Sequence, residues 1–157
     1  MKINLHEKLS PHFTLGEMIR SEIASKHGIS NIPDSETIER MKIVCCRILE
    51  PVRDHFGIPF SPNSGYRSKE LNRLLRGSET SQHMLGQAVD FELPGISNYD
   101  LAHWISTELI YDQLILENHI PGKPDSGWVH CSIVSGKTNR MQCLTIGGGV
   151  TRSGLIK

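Results

Sequence analysis

Ten residues in the middle of the chain, Ser81-Gln82-His83-Met84-Leu85-Gly86-Gln87-Ala88-Val89-Asp90, constrain it more than any other stretch. An imidazole and a carboxylate stand on either side of a glycine, and the segment runs on into the alternating residues Gln87 to Leu93. Successive side chains of a strand take opposite faces, so Ala88, Asp90 and Glu92 share one face while Val89, Phe91 and Leu93 take the other. The apolar trio predicts a strand anchored in a core, with Asp90 turned toward a cleft. Gly86 permits a sharp turn just before that strand, and the small Ala88 leaves room beside Asp90. His83 is then placed to fold back toward the carboxylate.

A histidine and an aspartate converging in this way make half of a metal site, and the best third donor is His130. It lies in Trp128-Val129-His130-Cys131-Ser132-Ile133, a second alternating run whose Val129, Cys131 and Ile133 suit a core and whose Trp128, His130 and Ser132 suit the opposite face. A His130 strand beside the Asp90 strand completes two imidazoles and one carboxylate, the donor set of a catalytic rather than a structural zinc site. Magnesium and calcium prefer all-oxygen shells. As isolated residues, His83 and His130 are equally readable as polar groups with ordinary hydrogen-bond partners.

Around these strands the pattern predicts an α+β layout. Thr14 and Glu17 fit a capping box opening a helix to about Lys26, and Asp34 or Ser35 caps a longer helix with apolar Ile38, Met41, Cys45, Ile48 or Leu49, and Val52. Pro51 is expected to kink or divide that helix before it ends at Gly57. Ile58 to Pro62 reads as a short strand, Ser68 caps a helix to about Leu75, and Ser97 or Asn98 starts a helix bearing Leu101, Ile105 and Leu109. Asp112 to Glu117 and Met141 to Ile146 read as strands, and Asn118 to Gly127 as a loop bordering the cleft. The tail from Gly147 to Lys157 has no core pattern and is expected to fray. A small antiparallel sheet packed with helices, in a single domain over 1–157 ordered from about 13 to 146, is the expected architecture.

Three motifs in order carry a family resemblance: Ser-x-His-x-x-Gly-x-Ala-x-Asp at Ser81 to Asp90, Ser-Gly-Tyr-Arg-Ser at Ser64 to Ser68, and Trp-Val-His at Trp128 to His130. Together they resemble the zinc D-alanyl-D-alanine carboxypeptidases of peptidase family M15, most closely the small single-domain, endolysin-like members of phages and prophages. The likeness runs from Phe13 to about Ile146. It implies the hedgehog/DD-peptidase fold, Zn2+ held by His83, Asp90 and His130, and a metallopeptidase cleaving peptide bonds in peptidoglycan stem peptides or cross-links, as a carboxypeptidase or an endopeptidase.

On its turn alone, Arg67 reads as an exposed charge. The resemblance assigns it instead to a substrate carboxylate, which suits the planar fork of a guanidinium. Ser81 is expected to orient His83 or to bind substrate oxygen, though a turn role fits it equally. Hydrolysis also needs a base, and Glu117 is the choice. The hedgehog signalling domain, a relative in fold, resembles this region in having a strand that ends in glutamate before a histidine strand with His-Cys-Ser. Many relatives place the acid three residues before the last ligand, where this chain has Gly127, so Asp125 and His119 stand as substitutes.

Charge bounds the partners. Lysine plus arginine total 17 and aspartate plus glutamate total 17, so there is no basic field to collect nucleic acid. No segment approaches a membrane span, and Met1 to Ser10 holds no apolar stretch of signal-peptide length. A monomer is expected, made in the cytoplasm and reaching the bacterial cell wall by lysis, holin-type release or as a virion component. Cys45, Cys46, Cys131 and Cys143 lack metal or redox spacing and read as reduced, mostly buried thiols. The competing function is a zinc-stabilised binding module, or a virion or tail component, with the same fold and no turnover.

Overall fold

In the computed structural model, which describes residues 2–157, the chain opens with a two-stranded ribbon of β1 (Lys8–Ser10) and β2 (Phe13–Thr14). Order therefore begins earlier than the expected Phe13, because Leu9 is buried and Ser10 Oγ donates to Glu50 at 2.6 Å. The capping box forms: Glu17 N donates to Thr14 Oγ1 and Thr14 N to Glu17 Oε2. The helix it opens is shorter than expected. Arg20 turns extended after α1 (Leu15–Ile19), and Ser21 caps a separate α2 (Glu22–Lys26) by accepting from Ala24 N.

Asp34 caps α3 (Ser35–Val44), which continues through a π-helical turn (Cys45–Leu49) into α4 (Glu50–Phe56). The break expected at Pro51 is thus absorbed one turn early. Glu50 N bonds to Cys45 O, and this widened turn accommodates a proline that has no amide to give. Met41, Val44, Cys45, Ile48, Leu49 and Val52 are fully buried along this run. The strand expected over Ile58 to Pro62 does not form. Pro59 and Pro62 cannot donate to a ladder, and pairing begins only past the segment, at the bridge from Ser64 to Asp90.

Ser68 then caps α5 (Lys69–Leu74), and a 3₁₀ turn (Gln82–Leu85) leads into β3 (Ala88–Phe91). After α6 (Asn98–Glu108) come β4 (Gln113–Glu117), β5 (Trp128–Ser132), β6 (Gln142–Gly147) and β7 (Val150–Ser153). The main sheet has the order β3-β5-β4-β6-β7, antiparallel except for the parallel pair β4 and β6. This is the expected α+β architecture.

Register is what builds the site. Asp90 pairs with His130, His130 with Ile115, and Glu117 with Trp128. Because side chains alternate, Val89, Phe91, Leu114, Leu116, Val129 and Cys131 join Met41, Ile48, Leu101 and Ile105 in the core. Asp90, Ile115, Glu117 and His130 are left on the opposite face.

The tail expected to fray is tied down. It forms β7, and the buried Thr145 hydroxyl donates to Gly154 O and accepts from Ile156 N. Gly122 N donates to the Lys157 carbonyl, so the chain end holds the loop after β4. Backbone and hydroxyl pairing do here what an apolar pattern does elsewhere, which is why periodicity missed it. All four cysteines are free; Cys45 and Cys131 are buried, and burial pushes both thiols well above their ordinary range. Among the described residues no helix is long and apolar enough to cross a membrane.

Candidate metal centre

The 3₁₀ turn delivers His83. Ser81 Oγ accepts from His83 N at 3.3 Å, and Gly86 closes the turn with φ near +70° while packing so tightly on α3 that a Cβ would lie 2.8 Å from Thr37 O. His83 is only 3% exposed, and its Nδ1 lies 2.7 Å from the Gly65 carbonyl. A carbonyl only accepts, so Nδ1 carries the proton and Nε2 presents its lone pair.

That lone pair meets Asp90. Asp90 Oδ1 is 3.3 Å from His83 Nε2 and 2.9 Å from His130 Nδ1, and its other oxygen is 3.3 Å from Arg67 Nη2. The donor atoms of His83, Asp90 and His130 all lie within 4.8 Å of one another, a cluster that could hold a metal ion. Two buried imidazoles and one carboxylate, one imidazole already set in the ligating tautomer, fit a borderline-soft transition metal.

Arg67 is not an exposed charge. Its backbone N donates to His83 O at 3.1 Å, its Nε to Ser64 Oγ at 3.3 Å, and its side chain is 18% exposed. Ser64 in turn exchanges backbone hydrogen bonds with Asp90. The Ser64 to Ser68 and Ser81 to Asp90 motifs therefore act as one hydrogen-bonded unit.

Electrostatics separates the two acids. Burial works to raise the Asp90 carboxyl, but the two imidazoles that face it, His83 when protonated and His130 through its Nδ1 hydrogen bond, outweigh burial and hold the group well below its ordinary range. Glu117 goes the other way. Its burial, assisted by the nearby Asp90 charge, outweighs His130, His83 and Arg67 and raises its pKa.

Both acids open onto one cleft of about 660 Å³, lined also by Arg67, Ser81, His83, His130, Ile115 and Trp128. His119 and Asp125 do not line it. His119 is 1% exposed with Nδ1 beside the Ser126 carbonyl, and the Asp125 carbonyl accepts from Asn98. The cleft also includes Gln82, Gln113 and Arg140, which no sequence pattern singled out. Arg140 is reached only through the fold, by its pairing with Asp112 twenty-eight residues earlier.

On this α+β frame a buried cluster of two histidines and one aspartate, able to hold a metal ion, shares a cleft with a glutamate. The chain belongs to the peptidase M15 family, whose model matches residues 11–132, and so to hydrolases acting on peptide bonds. The matched stretch contains Arg67, His83, Asp90, Glu117 and His130. No curated protein matches the chain significantly.

Proposed function

We propose that this protein is a zinc-dependent peptidase that cleaves peptide bonds in the stem peptides or cross-links of bacterial peptidoglycan, acting at the cell wall. The observation that carries this reading is the convergence of His83, Asp90 and His130 in the cleft that also holds Glu117. Zinc held by those three residues supplies the Lewis acidity that polarises a scissile carbonyl and acidifies water.

The chain's own groups do the rest. Gly65 fixes the His83 ring, and Arg67 steadies the second oxygen of Asp90. Other guanidinium hydrogens of Arg67 face the cleft, where they bind a substrate carboxylate. Glu117 takes the proton of the attacking water and returns it to the leaving amine, a task suited to a carboxyl whose pKa burial raises. Ser81 holds the turn that carries His83 and offers its hydroxyl to the substrate edge.

Elemental analysis of the purified protein, followed by mass spectrometry of peptidoglycan incubated with it, tests the proposal. One equivalent of zinc and newly released peptides or amines are expected. Bound zinc without any cleavage product would instead support a zinc-stabilised binding module, and absence of both would overturn the reading.

A further inference from the structure

Arg140 stands in the cleft on the side of Gln113 rather than of Glu117, and its setting is unusual for a solvent-facing arginine. Its backbone N and Nε donate to Asp112 Oδ1 at 2.9 and 3.1 Å, and its Nη2 to Asp112 Oδ2 at 2.7 Å. Asp112 is itself buried and takes a further hydrogen bond from Gln82 Nε2 at 2.9 Å. The guanidinium is thus clamped to the cleft wall, yet the side chain remains 54% exposed. Among the described residues Nη1 donates to no protein acceptor, so its two hydrogens are free for a ligand.

We propose that Arg140 is a specificity-determining residue that receives a second substrate carboxylate, two to three residues along the peptide from the bond that is cut. Sheet register sets the distance. His130 lies opposite Ile115, and Asp112 is three residues before Ile115, a separation of about 10 Å at strand rise. An extended peptide laid over Ile115 and Gln113 covers that span in about three residues. Arg67 and Arg140 then act as two fixed cationic posts in one groove. A clamped fork loses little side-chain entropy on binding. A carboxamide in place of the carboxylate loses the charge and turns an NH₂ group toward donors that need an acceptor. Arg140 lies outside the stretch matched by the family model, so this preference belongs to the part of the chain that follows it.

The inference rests on the peptidase reading and deepens it, since stem peptides carry carboxylates on D-glutamate, on diaminopimelate and at the chain end. The test is a panel of synthetic stem peptides that differ only by carboxylate or carboxamide on the D-glutamyl or the diaminopimelyl residue. It is run on the zinc-loaded protein and on its Arg140→Ala and Arg140→Lys variants. Wild type should favour one acid peptide over its amide by about tenfold or more in kcat/KM, mostly through KM. Arg140→Ala should bring that ratio near one with zinc content retained, and Arg140→Lys should restore it only in part. Equal rates on acid and amide peptides in wild type, or an acid preference that survives Arg140→Ala, overturn the assignment and leave the peptidase reading standing. If no peptide is hydrolysed the peptidase reading falls. Calorimetric binding of the same acid and amide peptides then decides Arg140, with acid-selective binding lost in Arg140→Ala supporting it and absence of selectivity ending it.

Discussion

Replacing Glu117 by glutamine separates the chemistry of the cleft from its architecture. The two side chains have the same length, so the pairing of position 117 with Trp128 and the walls of the cleft are kept. What is lost is a carboxylate able to accept a proton. A missing general base costs a factor on the order of 10² to 10⁴ in turnover, or about 3–5 kcal/mol on the barrier. The structure also fixes the sign of a second effect. Burial raises the Glu117 pKa, so in the metal-free protein the folded state holds this proton more tightly than the unfolded chain does. As pH rises through that raised pKa the ionised group becomes a burden on the fold, and the amide removes it. Metal-free Glu117→Gln should therefore melt no lower than wild type at neutral pH while its zinc-loaded form hydrolyses stem peptides far more slowly. The assay is zinc content, melting temperature and single-substrate rate on the same preparations, with Asp125→Asn and His119→Ala alongside. Near-normal turnover in Glu117→Gln refutes the assignment, and so does a large loss of zinc with little loss of rate per bound metal.

Arg67→Ala should keep zinc, because His83, Asp90 and His130 remain, but should lower kcat/KM on stem peptides by about 10- to 100-fold; unchanged kinetics would leave Arg67 with only its structural tie to Asp90. Hydrogen bonds from Arg140 lower the Asp112 pKa from 3.8 to about 2, so the pair's contribution is complete above about pH 4 and disappears as pH falls toward 2. With Arg140 half exposed that contribution is about 1–2 kcal/mol, and Asp112→Asn should flatten this part of the acid-unfolding curve; an identical curve would show the pair to be inert. Gly127→Ala places a Cβ 1.8 Å from the Glu117 carbonyl at a φ of +68°, and should cost at least about 2 kcal/mol and reduce turnover together. A variant as stable and active as wild type would mean that this contact relaxes freely.

The convergence of His83, Asp90 and His130 was legible because strand alternation is a strict rule. Once Val89, Phe91, Val129 and Cys131 are sent to the core, Asp90 and His130 have one face left, and the turn at Gly86 brings His83 to them. Capping at Thr14, Asp34, Ser68 and Ser97 was legible for a similarly local reason. What escaped depends on partners distant in sequence. The π-helical turn trades one irregular hydrogen bond against Pro51, and the tail is held by Thr145 and Gly122. Arg140 gains its meaning only when Asp112 and Gln82 arrive beside it. Ile58 to Pro62 looked like a strand by its apolar residues, and its two prolines decided otherwise.

Gly127 also bears on why Glu117, the acid we propose, stands on a neighbouring strand. A side chain at position 127, three residues before His130, would put a Cβ 1.8 Å from the Glu117 carbonyl. Glu117 and His130 are on separate strands, and their spacing is a matter of how β4 and β5 are aligned. A slip of one residue between them would turn Glu117 away from the cleft and put a core leucine in its place. The glycine works as a registration pin: a bare backbone lets the chain close on the Glu117 carbonyl at this point, and that closure fixes where Glu117 stands relative to His130. A carboxylate side chain at position 127 would thus require re-threading the loop, while the same loop without its glycine would move Glu117.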